Sequence, residues 1–184
     1  MPDLRSKYCV FVSHCMLAQC VMANGVVKRF PGPVKPVIQF CLDHDINMMQ
    51  MPCPETLCDA GGLGRKPRGK KWYENNGLRE TSKAIAAGQA AYMRSIEDAG
   101  FIILAIIGID FSPACAVNYL NKGRSVYRDQ GIYMEELKIA LDGQGLEMDF
   151  IGVCQRWEKK MRKDLEQLMA GAAVRERHPR QRRA

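Results

Sequence analysis

Long apolar runs are absent from this 184-residue chain, although 47% of its residues are hydrophobic. No stretch approaches the roughly 18 uninterrupted apolar residues that a membrane-spanning helix needs. Residues 1–7 also lack the form of a secretory signal peptide. We therefore expect a soluble cytoplasmic protein with no membrane partner. A chain of this length is most simply one domain, large enough to bury about 70% of its extended-chain surface.

Close cysteine pairs are also missing, even though the chain contains 8 cysteines. No C-x-x-C pair occurs, whereas structural zinc sites usually draw their ligands from such pairs and thioredoxin-type redox centres require one. A disulfide framework requires a secretory signal and is typical of shorter chains. The cysteines are therefore expected to be core residues or metal ligands.

Nucleotide-binding fingerprints are likewise lacking, because there is neither a P-loop motif nor a complete G-x-G-x-x-G. The glycines within residues 61–64 are interpreted as part of a flexible loop. The net charge is +7, and residues 174–184, with five arginines and one glutamate, contribute four of these charges. We predict a domain over residues 1–173 and a disordered basic tail over residues 174–184.

Strand-like and helix-like segments alternate along the chain, which is typical of βαβ units. The predicted strands cover residues 8–12, 46–51, 101–109 and 148–153, and the predicted helices cover residues 34–45, 77–99, 132–141 and 155–173. We expect an α/β fold, a Rossmann-like three-layer αβα sandwich with a mostly parallel sheet. Residues 101–109, rich in isoleucine, are the predicted central strand.

Three cysteines come shortly after three of these strands: Cys15, Cys53 and Cys115. The carboxyl ends of parallel strands meet at one crevice, where such folds place their ligand sites. Three thiols there would make a soft-metal or iron–sulfur site with an open coordination position. Cys58 remains an alternative to Cys53, and Cys20 and Cys154 are reserve candidates.

Three other side chains accompany these thiols. Glu55 has the chemistry of a general acid or base, and Ser112 that of an orienting hydrogen-bond donor. His14 is a candidate for moving a proton or for lowering the pKa of a neighbouring thiol. Each also has a structural interpretation: Glu55 would suit the first turn of a helix, and His14 could be an ordinary loop residue.

Four segments resemble, in order, motifs of the thiouracil desulfurase (TudS)-related family of desulfidases. They are residues 13–17 (SHCML), 31–35 (PGPVK), 50–56 (QMPCPET) and 107–115 (IGIDFSPAC). The resemblance implies a 4Fe-4S cluster held by Cys15, Cys53 and Cys115, with one open iron that takes sulfur from a thiolated substrate without net redox change. It also implies that Glu55 and Ser112 serve the substrate or proton transfer. The expected substrate is a thiolated pyrimidine or a related thioamide.

A different class of function stays open at this point. Residues 65–71 contain five basic side chains and precede Trp72 and Tyr73, and basic residues beside aromatic ones can hold nucleotides or nucleic acid. With the arginine tail, this loop would make a non-catalytic nucleic-acid-binding module. Most such runs are merely solvated, so an enzyme acting on a small molecule is the favoured interpretation and nucleic acid is not an expected partner.

Overall fold

The computed structural model describes residues 3–123 and 125–177, with side chains described as far as residue 169. Its elements, in chain order, are β1 Tyr8–Ser13, α1 His14–Leu17, a 3-10 turn Gln19–Val21, α2 Lys35–Asp43, β2 Asn47–Met51, α3 Pro54–Leu57, α4 Lys70–Glu74, α5 Leu78–Asp98, β3 Ile102–Ile109, β4 Tyr119–Lys122, β5 Ser125–Arg128, α6 Ile132–Gly143, β6 Phe150–Val153 and α7 Glu158–Arg177.

The main sheet has four strands in the order β2-β1-β3-β6, and all three pairings are parallel. Strands β1 and β3 occupy the middle, and nearly all of their residues are buried. Strands covered on both faces need apolar side chains on both, which explains their continuous hydrophobic runs. The predicted parallel sheet and the central position of residues 101–109 are confirmed.

Helices cover both faces of this sheet. Helix α5 packs against α6, α2 packs against α7, and both α5 and α7 contact β3. Apolar residues about two turns apart on α5, among them Leu78, Ala86 and Met93, are buried in the core, as expected of an amphipathic helix. The α/β fold class is therefore confirmed. Among the described residues, no helix combines the length and the apolar character needed to cross a membrane.

Short helices and strands occupy the segments between β2 and α5 and between β3 and α6, where the sequence predicts loops. Helices α3 and α4 lie between β2 and α5, and β4 and β5 form an antiparallel hairpin after β3. Periodicity could not predict the hairpin, because seven of its eight strand residues are exposed or half-exposed. Helix α7 continues past residue 173 to Arg177. Residues 178–184 lie outside the described residues, and the division at residue 173 stays a prediction.

Candidate active site

A cavity of about 560 Å³ lies at the carboxyl edge of the sheet. It is bordered by residues that follow β1, β2, β3 and β6, as parallel topology predicts. All six candidates from the sequence line it: His14, Cys15, Cys53, Glu55, Ser112 and Cys115. The fold thus brings together side chains separated by up to 101 positions along the chain.

The three thiols lie near enough to influence one another. Cys15 and Cys115 are buried and Cys53 is half-buried. Burial, followed by the neighbouring Cys53 and Glu55, raises the pKa of Cys15 to about 12. Burial and the other two thiols raise the pKa of Cys115 well above its usual value. Without a bound cation the thiols are therefore neutral at pH 7, and a metal must displace their protons when it binds.

The donor type at this edge, three thiols that line one cavity, is the type that iron–sulfur clusters use. Within residues 3–123 and 125–177, no group of three or more His, Cys, Asp or Glu side chains is placed to hold one metal ion. Cluster ligands bind separate irons and need not converge on one point, and thiolates are the ligands that such clusters use. Three thiols around one cavity fit that requirement.

The other candidate cysteines occupy different positions. Cys58 is buried, its thiol donates to the Glu55 carbonyl oxygen at 3.9 Å, and it is not among the residues that line the cavity. Cys20 is exposed and does not line the cavity either. Cys154, directly after β6, is buried and lines it. The geometry therefore favours Cys53 over Cys58 as the second thiol of the site.

Glu55 is a buried carboxylate of the cavity, 7% exposed. It lies in the first turn of α3, directly after Pro54, so the structural interpretation of this residue is also correct. Its Oε2 accepts hydrogen bonds from Arg65 Nη2 at 2.9 Å and Arg65 Nε at 3.1 Å. Its Oε1 accepts one from Ser112 Oγ at 3.1 Å. A buried charge requires such partners.

Ser112 connects this carboxylate to the third cysteine loop. Its hydroxyl oxygen accepts hydrogen bonds from the backbone N–H of Cys115 at 3.0 Å and of Ala114 at 3.2 Å. Its single proton is donated to Glu55. A hydroxyl has one donor and two acceptor positions, so the three bonds use Ser112 fully and fix its rotamer.

Asp110 organises the loop after β3, a role that the sequence did not reveal. Its Oδ1 accepts backbone hydrogen bonds from Val117 at 3.1 Å and Asn118 at 2.9 Å. Gly152 on β6 leaves room for this carboxylate, because a Cβ there would collide with it. Gly108 on β3 leaves room for the Cys115 carbonyl in the same way. The loop can therefore turn back over the strand ends and bring Cys115 to the cavity.

Phe111 forms an aromatic wall of the cavity and has a left-handed backbone, with φ of 71°. That conformation is strained for a residue with a side chain and is tolerated where the surroundings enforce it. Trp157 supports the ring edge-on, with centroids 5.6 Å apart, and also packs edge-on against Tyr119. Phe111 thus contributes a supported aromatic residue to the cavity lining.

His14 is half-buried and lines the cavity. Burial lowers the pKa of its imidazole, so the ring is mainly neutral at pH 7. A neutral ring does not provide the positive charge that lowers a thiol pKa, and the pKa of the adjacent Cys15 is raised. The hypothesis that His14 lowers a thiol pKa is therefore not supported; a role in moving protons stays a prediction.

Arg65 is the site residue that sequence reasoning missed. It belongs to the basic segment 65–71, which the sequence predicts to be solvated, yet its side chain is only 7% exposed and pairs with Glu55. Lys70, from the same loop, pairs with Asp129 and Glu135. A signal was available, because a buried glutamate needs a cation and Arg65 is only ten positions away. Two of the five basic side chains of residues 65–71 are therefore paired within the protein and are not free to bind nucleic acid.

Other basic residues surround the mouth of the cavity. Lys28, Arg29, Arg68 and Arg156 line it. Arg29 pairs with Glu158 at 2.6 Å, and the guanidinium of Arg68 lies over the ring of Trp72. The rim is therefore positively charged.

Comparisons with known proteins support this picture at the level of the fold. No protein-family model matches the chain. An uncharacterized protein of Methanocaldococcus jannaschii, MJ0003, is 26% identical over 133 residues, which cover 72% of this chain and 77% of that protein. A solved structure of a 4Fe-4S-dependent thiouracil desulfidase, TudS, matches with a TM-score of 0.52 and 16% sequence identity.

The chain has the fold of this desulfidase. The match covers 91% of this chain and 99% of the TudS chain, so the likeness extends over nearly the whole of both. The resemblance predicted from the four sequence segments is thereby confirmed for the fold. The chemistry of the cavity has to be argued from its own residues.

Proposed function

We propose that this protein is an iron–sulfur-dependent desulfidase that removes sulfur, as sulfide, from a small thiolated compound such as a thiopyrimidine. The observation that carries the proposal is the placement of Cys15, Cys53 and Cys115 around the cavity that also contains the paired Glu55 and Ser112. The shared fold with a thiouracil desulfidase adds support.

Cys15, Cys53 and Cys115 would hold a 4Fe-4S cluster through their thiolates. When bound, the cluster would supply an open iron, a Lewis acid with affinity for soft sulfur. The chain contributes the burial of Cys15 and Cys115, which keeps both thiols away from bulk water.

Glu55 is the general base of the proposed reaction, which replaces the thiocarbonyl sulfur by the oxygen of a water molecule. The carboxylate accepts a proton from that water as its oxygen attacks the thiocarbonyl carbon. It then passes that proton to the sulfur and accepts the second proton, from the hydroxyl group now on carbon, as the carbonyl forms and hydrosulfide leaves. The hydrosulfide takes up this second proton. One water is consumed and one hydrogen sulfide is released, without net oxidation or reduction. Ser112 holds the carboxylate at Oε1 throughout.

Phe111 and its supporting Trp157 would bind the substrate ring. A planar heteroaromatic compound stacks well on an aromatic side chain, and the polar atoms at its edge remain available to neighbouring groups. The cavity volume of about 560 Å³ lies within the range usual for small-molecule sites. The shape and chemistry of the site thus suit one small ring compound.

Anaerobic reconstitution with iron and sulfide tests the proposal. We expect a brown protein with about four irons per chain, which releases sulfide from thiouracil. Cys115→Ser should lose iron and activity together. Cys20→Ser is the matched control, since this exposed thiol lies outside the cavity, and it should keep both. A colourless protein that instead binds zinc stoichiometrically would overturn the proposal.

A further inference from the structure

We propose that Arg65 is a positioning residue that selects which oxygen of Glu55 accepts the proton. The inference rests on the proposed function, because Glu55 is the base of that reaction. Arg65 donates two hydrogen bonds to the same oxygen, Oε2. It therefore does more than neutralise the charge, since it occupies one particular atom of the carboxylate.

The two oxygens of Glu55 have different partners. Oε2 lies 2.9 Å from Arg65 Nη2 and 3.1 Å from Arg65 Nε, whose single proton is shared with the Tyr73 hydroxyl. Tyr73 in turn hydrogen-bonds to Glu55. Oε1 accepts its bond from Ser112, a residue that lines the cavity, at 3.1 Å. Arg65 therefore holds Oε2, and Oε1, on the side of Ser112, is the oxygen that we assign to the proton.

The guanidinium of Arg65 is itself held in place. Its Nη1 donates to the carbonyl oxygens of Val21 at 2.7 Å and Gly62 at 3.2 Å. Its Nε also donates to the Tyr73 hydroxyl at 3.1 Å. Because the backbone and Tyr73 anchor the planar group, Arg65 cannot follow a rotation of the Glu55 carboxylate. Its fixed position therefore determines the orientation of the Glu55 carboxylate.

The glycine-rich segment before Arg65 makes this arrangement possible. Gly62 and Gly64 have φ of 100° and 73°, a conformation that glycine adopts readily. A Cβ on Gly61 would collide with the Glu55 carbonyl oxygen, and the Gly62 N–H donates to that same oxygen at 3.1 Å. The segment therefore wraps closely around α3 and returns the chain so that Arg65 reaches Glu55.

Arg65→Lys tests positioning separately from charge. Lysine keeps the positive charge but cannot form two in-plane bonds with one carboxylate. Misplacement of a catalytic group by about 1 Å can cost about 100-fold in rate. We therefore expect Arg65→Lys to lower kcat for thiouracil by about 10- to 100-fold, with KM nearly unchanged. Iron content should stay near that of the wild type, whereas the melting temperature should fall, because the bonds to Val21 and Gly62 are lost.

A crystal structure of metal-free Arg65→Lys provides a readout that does not depend on turnover. The Ser112 Oγ–Glu55 Oε1 contact, 3.1 Å in the wild type, should be lost or transferred to Oε2. Lys66→Met is the matched control, because Lys66 is the exposed neighbour outside the cavity; it should preserve kcat and the contact. Arg65→Met, which leaves a buried carboxylate unpaired, serves only as a secondary variant because it could fail to fold.

Two results would overturn the inference. In the first, Arg65→Lys keeps wild-type kcat or keeps the wild-type Ser112–Glu55 contact. In the second, its activity falls only in proportion to its iron content, which would indicate a purely structural role. A loaded wild-type protein that releases no sulfide would refute the proposed function instead. The crystal structure would then still decide whether Arg65 orients Glu55.

Discussion

The Ser112 hydroxyl donates a hydrogen bond to Glu55 Oε1 at 3.1 Å, although 57 positions separate the two residues in the chain. Ser112 also accepts the backbone N–H of Cys115, and Glu55 lies two positions after Cys53. The bond therefore ties two cysteine loops together through the group proposed as the base. Any change in the carboxylate position is transmitted to the backbone beside Cys115.

Replacing Glu55 by glutamine should separate proton transfer from cluster binding. We expect Glu55→Gln to lower kcat by about 100- to 10,000-fold, because the amide cannot act as a base. Iron content and the visible absorbance of the reconstituted protein should remain, because Glu55 is not a proposed ligand. Stopped assays of released sulfide and iron analysis of the same samples measure both.

Glu74→Gln is the matched control for that substitution. Glu74 pairs with Arg79 on the surface, lies outside the cavity, and should retain full activity. If Glu55→Gln still releases sulfide at near the wild-type rate, the assignment of the base is wrong. His14 and Ser112 then become the next candidates.

Serine variants of Cys53 and Cys58 should decide which of them belongs to the site. Cys53 lines the cavity, whereas Cys58 donates to the Glu55 carbonyl oxygen and does not line it. We expect Cys53→Ser to lose the cluster and Cys58→Ser to keep most of the iron. Iron and acid-labile sulfide per chain are the measurement. The reverse pattern would place the ligand at Cys58.

The metal-free protein should become less stable as the pH rises above about 9. The pKa of Cys15 is raised to about 12 in the folded state by burial and by Cys53, and that of Cys115 is raised as well. When the pKa of a thiol is higher in the folded state than in the unfolded state, the thiol contributes to the free energy of unfolding. This contribution is complete below the pKa of the unfolded state and is lost as the pH rises to the pKa of the folded state. Each such thiol contributes a slope of about 1.4 kcal/mol per pH unit in that window.

Urea unfolding of the metal-free protein between pH 8 and pH 11 measures this slope. Buried Cys9 and Cys41, with pKa values raised to about 11, add to the total, so the comparison between variants is decisive. Cys115→Ala should show a shallower decline than the wild type, by about 1.4 kcal/mol per pH unit. If the free energy of unfolding of the wild type and of Cys115→Ala falls equally with pH, burial does not raise the pKa of the Cys115 thiol.

Asp110→Ala should destabilise the loop that carries Cys115. The substitution removes the acceptor for the backbone N–H of Val117 and Asn118, and unsatisfied buried donors are costly. We expect the free energy of unfolding to fall by about 3 kcal/mol, together with weaker retention of iron. Urea unfolding and iron analysis test this. Asp142→Ala, at an exposed position on α6, should change neither quantity.

Removal of residues 178–184 tests the alternative class of function. This segment contains Arg180, Arg182 and Arg183, and the desulfidase proposal expects its removal to leave sulfide release unchanged. A binding module would instead hold RNA in the intact protein, with an affinity that falls steeply with salt and is lost on truncation. Filter binding at two salt concentrations, together with the sulfide assay, distinguishes the two.

Much of the fold could be predicted because its central strands are buried on both faces. The continuous apolar residues of β1 and β3 indicate strands that are buried on both faces. The amphipathic pattern of α5 indicates a helix that buries one face against them. The edge of the sheet at which Cys15, Cys53 and Cys115 gather follows from parallel topology alone. The hairpin of β4 and β5 could not be predicted, because it is stabilised by cross-strand pairing and buries little.

The sequence by itself determined the four main strands, their parallel pairing and six candidate residues at the cavity, since hydrophobic periodicity and strand ends are local signals. Only the tertiary structure decided how those residues are used. Arg65 belongs to a basic segment that sequence alone predicts to be solvated, and no sequence signal distinguishes Asp110. Their partners, Glu55 and the backbone of residues 117 and 118, are specified by how loops fold over one another. Ion pairs and hydrogen bonds depend on distance and burial, and neither quantity exists until the chain has packed.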